Sequence, residues 1–280
     1  MIIGESVISS QAQELDPWKI LKAFGGPGLF VTGTNTDIGK TTVTAALAGA
    51  FASLGIRVGV CKAVASGCPK HPDRGAAGAL ANDDLISPDA SIAARMAGLD
   101  PSNEELRPMI SPIRYAAPVS PHIAARIEGR PPDWKSLARA MEYWRTHCDF
   151  LLIEGAGGWL VPLDNRLFTV ADMACIFALP VVVVTAAYLG TLNHTWMTTE
   201  CIRHRNLALA GIVVNHVPDP PDMAAQTSVE ELPHLVHAPL LAALPQVGQD
   251  CSGQIPATFV EALKPFAMQW WETVKVRGKQ

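Results

Sequence analysis

Residues 29–55 read LFVTGTNTDIGKTTVTAALAGAFASLG. A short run of large and β-branched residues passes through a glycine-rich turn into an alanine-rich stretch. The first run suits a buried strand, and the last suits a helix that closes at Gly55. The turn ends in Gly39-Lys40-Thr41-Thr42, the tail of a phosphate-binding loop. In such a loop, backbone N–H groups of the turn and of the first helical turn converge on one point, so an anion is held without side-chain charge. The lysine reaches the outer phosphates and the hydroxyl after it takes a place on Mg2+. Lys40 and Thr41 are the candidates, with Thr36, Asp37, Ile38, Gly39 and Thr42 completing the cradle. The usual loop has four residues between its two glycines. Here Gly33 and Gly39 enclose five, and the extra reach brings Thr36 and Asp37 over the phosphates.

Further short apolar runs follow at 56–62 (IRVGVCK), 149–155 (DFLLIEG), 180–185 (PVVVVT) and 211–215 (GIVVN). Runs of this length and content are those buried in a parallel sheet. Helical candidates lie between them: 133–147, with Leu137, Met141 and Trp144 on one face, and 191–205. The alternation predicts an α/β chain, a single-domain P-loop fold with a mostly parallel central sheet and helices on both faces. Proline- and glycine-rich segments at 68–82 and 216–222 are expected to be loops. Residues 1–26 form a polar N-terminal extension closed by GGPG, expected to be loosely ordered or packed as an arm, and 27–280 form the domain. With 280 residues, about half of them apolar, the chain can fill one large core.

A net charge of −4 gives no basic surplus for nucleic acid and no polybasic run for a lipid surface. The most apolar run, PVVVVTAAYLG, is far too short to span a bilayer. The N-terminus has neither the basic start nor the apolar core of a signal peptide. The six cysteines are scattered and form no Cys-x-x-Cys pair, so reduced thiols in a cytoplasmic protein are expected.

Three more stretches carry chemistry. In CKAVASGC (61–68), Lys62 ends a strand at the sheet edge where α/β ligands bind, with Ser66 and Gly67 turning beside it. It is either a second cation for a transferring phosphoryl group or a solvated lysine. In LLIEGAGGWLVPL (151–163), an apolar strand ends in Glu154, which would hold Mg2+ directly or through water. Gly155, Gly157 and Gly158 then let the backbone approach a ligand. ALANDDLIS (79–87) offers Asp83 and Asp84, adjacent acids that are either solvated or, for one of them, metal-binding.

VTGTNTDIGKT, KAVASG, PVSPHIAAR, EGAGGWLVPL, LGTLNHT and GIVVNHV occur in an order that resembles the dethiobiotin synthetases, over about Leu29 to Pro245. The five-residue spacer is itself a feature of that family. The resemblance implies formation of dethiobiotin from 7,8-diaminopelargonic acid, CO2 and ATP with Mg2+. It implies that Thr36, Gly39, Lys40 and Thr41 hold the phosphates with Asp37 close by, and that Thr41, Asp84 and Glu154 are the Mg2+ ligands. Lys62 and Ser66 would face the diamine and its carbamate, and Ser120, Pro121 and His122 would lie along the substrate channel. Asn215 would recognise adenine, helped by backbone near Pro245, and Gly157 would border the nucleotide. Gly190, Thr191, Leu192 and Asn193 would open a helix whose N–H groups take the substrate carboxylate. In the family that helix end comes from the second subunit, which implies a homodimer with shared active sites. Such chemistry needs no covalent enzyme nucleophile, and no nucleophile–base pair is legible in the sequence. Ala63 departs from the pattern, standing where the family usually has proline. Two rival readings fit less well. A partitioning or site-selection ATPase places a second lysine early in the loop, where this chain has Thr34, Asn35 and Thr36. A cobyrinate-type amidoligase needs a glutaminase domain for which no length remains.

Overall fold

The computed structural model describes residues 16–72, 81–247 and 254–277. Its central sheet has six strands in the order β2-β5-β1-β6-β7-β8. They are β1 (Gly28–Gly33), β2 (Val58–Lys62), β5 (Phe150–Glu154), β6 (Val181–Ala186), β7 (Leu209–Val217) and β8 (Leu240–Pro245). Every pairing in it is parallel. The strands β1, β2, β5 and β6 are buried along their whole length, as their unbroken apolar runs require. A two-stranded parallel piece, β3 (Val64–Ala65) with β4 (Ile113–Arg114), continues outward from the end of β2.

Helix α2 (Lys40–Ala52) follows β1 and is buried on almost every side. It packs against α3 (Pro88–Met96) and against α10 (Ala257–Arg277), and alanines and Gly49 let both approach: a Cβ at Gly49 would lie 2.8 Å from Met96 and 3.1 Å from Val260. Among the described residues, the other helices are α1 (Pro17–Ile20), α4 (Arg107–Ile110), α5 (Pro121–Ile127), α6 (Trp134–His147), α7 (Val170–Phe177), α8 (Thr191–His204) and α9 (Met223–Leu235). In α6, Leu137, Met141 and Trp144 form the buried face, as their spacing demands.

The topology fixes where a ligand binds. From β1 the chain crosses to β2 on one side, and after β5 it passes over β1 to β6 on the other. The crevice at the C-terminal end of β1 is therefore a switch point of the sheet, the place where open α/β folds take their ligands. The loop 34–39 leaves β1 there.

Some expectations shift. Residues 1–15 and 73–80 lie outside the described residues. The end of the N-terminal extension is packed: Leu21 and Phe24 are buried, Phe24 N–H donates to the Phe177 carbonyl at 3.3 Å, and the Trp18 ring meets Phe168 edge-on. The segment expected to be a loop from 216 starts two residues later, because His216 and Val217 extend β7. Strand β8 has no counterpart in the sequence reading. It is a partly exposed edge of leucines and alanines between prolines, with neither strict alternation nor a β-branched run to mark it. Among the described residues, no helix is long and apolar enough to cross a membrane.

Candidate active site

The loop after β1 has the shape its sequence requires. Thr34 N–H is held by the Val184 carbonyl at 3.0 Å. Asp37 (φ 58) and Gly39 (φ 85) take left-handed conformations that turn the chain into the first turn of α2. Gly39 has a second reason to be glycine: a Cβ there would lie 1.9 Å from Asn215 Nδ2. Lys40 arches back across the loop and donates from Nζ to the Asn35 carbonyl at 2.7 Å. Burial, and next the Lys62 charge, lower its ammonium to about 8, against the opposing pull of Glu154 and Asp37.

Lys62 and Glu154 are register partners in the β2–β5 pair, so their side chains leave the same face side by side. Lys62 Nζ lies 2.5 Å from Glu154 Oε1 and 2.9 Å from Asp89 Oδ2. Thr41 Oγ1 donates to the same Glu154 oxygen at 2.9 Å. Burial pulls the Lys62 ammonium down, but Glu154 and Asp89 outweigh it and hold it above the usual lysine range. Burial likewise pushes the Asp89 carboxyl up, and the Lys62 ammonium and Thr41 hydroxyl overcome that to hold it below the usual carboxylate range. Of the two readings of Lys62 left open by the sequence, the solvated lysine is excluded, since the side chain is 8% exposed.

The acid that joins this cluster is Asp89, where the sequence reading named Asp84. Asp84 turns its carboxylate back onto Ala81 N–H at 3.0 Å and closes the 3-10 turn Asn82–Asp84. Asp83 pairs with buried Arg114 at 3.2 Å. Both acids thus serve local structure. Asp89 sits in the first turn of α3, behind the Ser87 cap and Pro88. Ser-Pro-Asp is an ordinary helix start, so an acid there gives no signal of a site.

A cavity of about 410 Å3 is lined by Thr36, Asp37, Gly39, Lys40 and Thr41 on the loop side, and by Lys62, Ser66, Asp89, Glu154, Ala156, Gly157 and His216 across from it. A second cavity of about 480 Å3 shares Thr36, Asp37, Ser66, Ala156 and Gly157 with the first and runs on to Pro118, Val119, Ser120 and Pro121. The two form one groove from the phosphate loop to the start of α5. His122 stands beside it, its Nδ1 3.0 Å from Ser120 Oγ, so one hydroxyl–imidazole pair is present that the sequence reading did not find. Ile38 is buried and Thr42 half-buried, both outside the cavity wall.

Three further groups of candidate residues lie outside this groove. Asn215 is buried beneath the loop and donates from Nδ2 to the Ile38 carbonyl at 3.1 Å, which makes it a brace for the loop itself. Pro245 is exposed at the end of β8 and lines neither cavity. Gly190 (φ 102), Thr191, Leu192 and Asn193 start α8 as expected and line neither cavity of their own chain; the resemblance assigns them to the site of a second subunit. Thr191 N–H is taken by the Tyr188 carbonyl at 3.1 Å, so the amides left for an anion begin at Leu192.

Comparison with known proteins narrows what this groove serves. A family model described as an AAA domain matches residues 27–250. The ATP-dependent dethiobiotin synthetase of Thermodesulfovibrio yellowstonii is 33% identical over 84% of this chain and 95% of its own. That of Parafrankia sp. is 41% identical over 78% and 83%. That of Escherichia coli K12 is 35% identical over 79% and 91%. The chain belongs to the dethiobiotin synthetase family. Solved structures add the fold alone: the Aquifex aeolicus MinC:MinD cell division complex matches at TM-score 0.52 and 13% identity, over 88% of this chain and 96% of that one. Pyrococcus horikoshii MinD complexed with Mg-ADP matches at 0.50 and 16%, over 90% and 98%. Ala63, where the family usually has proline, is fully buried between β2 and β3, and the Lys62 ammonium beside it is held by two carboxylates.

Proposed function

We propose that this chain makes dethiobiotin from 7,8-diaminopelargonic acid, CO2 and ATP, with Mg2+, in the cytoplasm. The observation that carries the reading is the continuous groove in which Lys62, locked to Glu154 and Asp89, stands between the phosphate loop and a second, longer chamber. A triphosphate would lie on the loop and a diamine along the chamber, meeting at Lys62.

The chemistry then balances without an enzyme nucleophile. One amine adds to CO2 and loses a proton to give a carbamate. A carbamate oxygen attacks the γ-phosphorus and ADP leaves. The second amine attacks the activated carbonyl carbon, phosphate departs with the former carbamate oxygen, a proton is released, and the ureido ring closes. Lys62 would face the transferring phosphoryl group and the carbamate, and Lys40 the outer phosphates. Both act by position and charge. Thr41, Asp89 and Glu154 present a hydroxyl and two carboxylates toward one another, an all-oxygen set of the kind Mg2+ takes together with phosphates and water. Bound there, the ion would neutralise charge on the phosphates.

The proposal extends to a homodimer with shared sites. Leu160, Leu189, Trp196 and Met197 are exposed apolar side chains around the start of α8 and the loop after β5, and Leu189 is 89% exposed. A second copy covering that face would bring its Leu192 and Asn193 amides to the chamber, where the substrate's carboxylate needs an anchor. The deciding experiment is mass spectrometry of the products after mixing protein, diaminopelargonate, bicarbonate and MgATP. Dethiobiotin formed in step with ADP supports the reading, and nucleotide turnover without it refutes the reading.

A further inference from the structure

The run Val181–Val184 is followed by Thr185, a fully buried hydroxyl one residue before the end of an otherwise apolar strand. Its Oγ1 lies 2.7 Å from Thr191 Oγ1, 3.0 Å from Thr195 Oγ1 and 3.2 Å from Thr34 Oγ1. A hydroxyl has one proton to donate and two lone pairs, so three partners use its full capacity. Thr191 and Thr195 are themselves fully buried, one turn apart on the same face of α8. Gly190 caps that helix without a side-chain hydrogen bond. The first turn of α8 is thus tied to the sheet through Thr185, while the fourth hydroxyl, Thr34, belongs to the phosphate loop.

We infer that Thr185 is a positioning residue that fixes the first turn of α8 against the sheet beside the phosphate loop, and so sets where the substrate carboxylate is held. The inference rests on the proposed function above, in which the α8 start anchors that carboxylate. The two sides of the network respond unequally to loss of the hydroxyl. Thr34 is half-buried, so water replaces its partner, and its N–H stays on the Val184 carbonyl at 3.0 Å. Thr191 has no such access to water, and its hydroxyl loses its shortest hydrogen bond. Removing the Thr185 hydroxyl therefore loosens the carboxylate anchor and spares the nucleotide loop.

Thr185→Val keeps the shape and removes the hydroxyl, and Thr185→Ser keeps the hydroxyl. Calorimetry would give the dissociation constants of diaminopelargonate, its methyl ester and MgATP for each protein. The wild type is expected to bind the acid more tightly than the ester. Thr185→Val should weaken the acid by about five- to tenfold, as loss of a buried hydrogen bond implies. The ester and MgATP should stay within about twofold of wild type, and Thr185→Ser should resemble wild type throughout. Equal binding of acid and ester by the wild type overturns the carboxylate anchor and the inference with it. A wild type that discriminates, with a Thr185→Val variant that discriminates as well, overturns the inference alone. So does equal weakening of all three ligands, which would mark general loosening.

Discussion

Replacing Asp89 by asparagine tests the part of the site that the sequence concealed. Asp89 Oδ2 is 2.9 Å from Lys62 Nζ, with the lysine side chain 8% exposed and the aspartate 47%. Two unit charges at that distance attract by about 6 kcal/mol at an effective dielectric constant near 20. Water on the half-exposed aspartate takes back most of this. Exposed pairs are worth about 0.2–1 kcal/mol, and breaking a buried one costs about 3–5. The Asp89→Asn loss should fall between, at about 1–2 kcal/mol, smaller than for Glu154→Gln because Glu154 is only 2% exposed. If Asp89 also faces Mg2+, losing its charge should raise the half-saturating Mg2+ concentration about tenfold or more, equivalent to at least about 1.4 kcal/mol. Two readouts separate these effects. One is a Mg2+ titration of product formation at saturating ATP. The other is the melting temperature as a function of Mg2+ with ATP present, which needs no turnover. Asp84→Asn is the control: it weakens only the cap on Ala81, at about 0.5–1 kcal/mol, and should leave the Mg2+ titration where it was. A shifted titration for Asp84→Asn with an unshifted one for Asp89→Asn would refute the assignment.

Three other outcomes are expected. Lys62→Gln should lower kcat and kcat/KM together while MgATP affinity holds, since its proposed contact with the carbamate and phosphoryl group would form mainly in the transition state; calorimetry showing lost ATP binding with normal turnover at saturation would make it a plain binding residue. Asp172 accepts from Thr169 N–H at 2.9 Å and from Arg205 at the start of α7; burial raises its carboxyl, but these partners outweigh it and hold the group below its usual range. A lowered carboxyl stabilises the fold above its unfolded pKa and loses that contribution as pH falls through the folded value. Asp172→Asn should thus cost about 1 kcal/mol in urea unfolding at pH 7, with the gap to wild type closing on acidification below about pH 4, and a constant gap would exclude the ionic origin. With sites shared as proposed, mixing Lys40→Ala subunits with Leu192→Pro subunits should restore up to about half the activity per heterodimer, because both defects then fall in one of its two sites. No recovery, with heterodimers seen by native mass spectrometry, would mean that each subunit uses its own α8.

What the sequence disclosed follows from where the constraint lies. The loop 34–39 was legible because its chemistry is backbone chemistry: Gly39 and the Lys40-Thr41 pair are required by local geometry within one short segment. The buried strands were legible because burial on both faces leaves an unbroken apolar run. Lys62 and Glu154 were each found at a strand end, but their contact depends on the β2–β5 register, which only the assembled sheet fixes. Asp89 was hidden because a helix start wants an acid for its own reasons, and Asp84 misled because paired acids in a loop look free until their partners are seen. Asn215 presents the same limit differently. Its buried amide spans from β7 to the loop, a contact between residues 177 positions apart.

The charge state of Lys62 limits its part in the reaction. Both amines of the diamine must shed protons, so a lysine in the groove invites the role of base. A lysine can be a base only if its neighbours lower its affinity for protons. Here burial does pull in that direction, but Glu154 and Asp89 pull harder, and the ammonium is held above its usual range. Paired with Glu154 and Asp89, Lys62 is held as the ammonium near neutrality and has no lone pair to offer an amine. The thiols beside it are no substitute: burial raises Cys61 and takes Cys68 up to about 11, so neither supplies a thiolate near neutrality. In the proposed reaction Lys62 would give a fixed positive charge to the carbamate and phosphoryl oxygens, and two carboxylates already orient it. The pH profile separates the two roles. Loss of a base removes the acidic limb of the rate profile, whereas loss of a fixed charge lowers the whole profile and keeps its shape. Lys62→Gln should do the second.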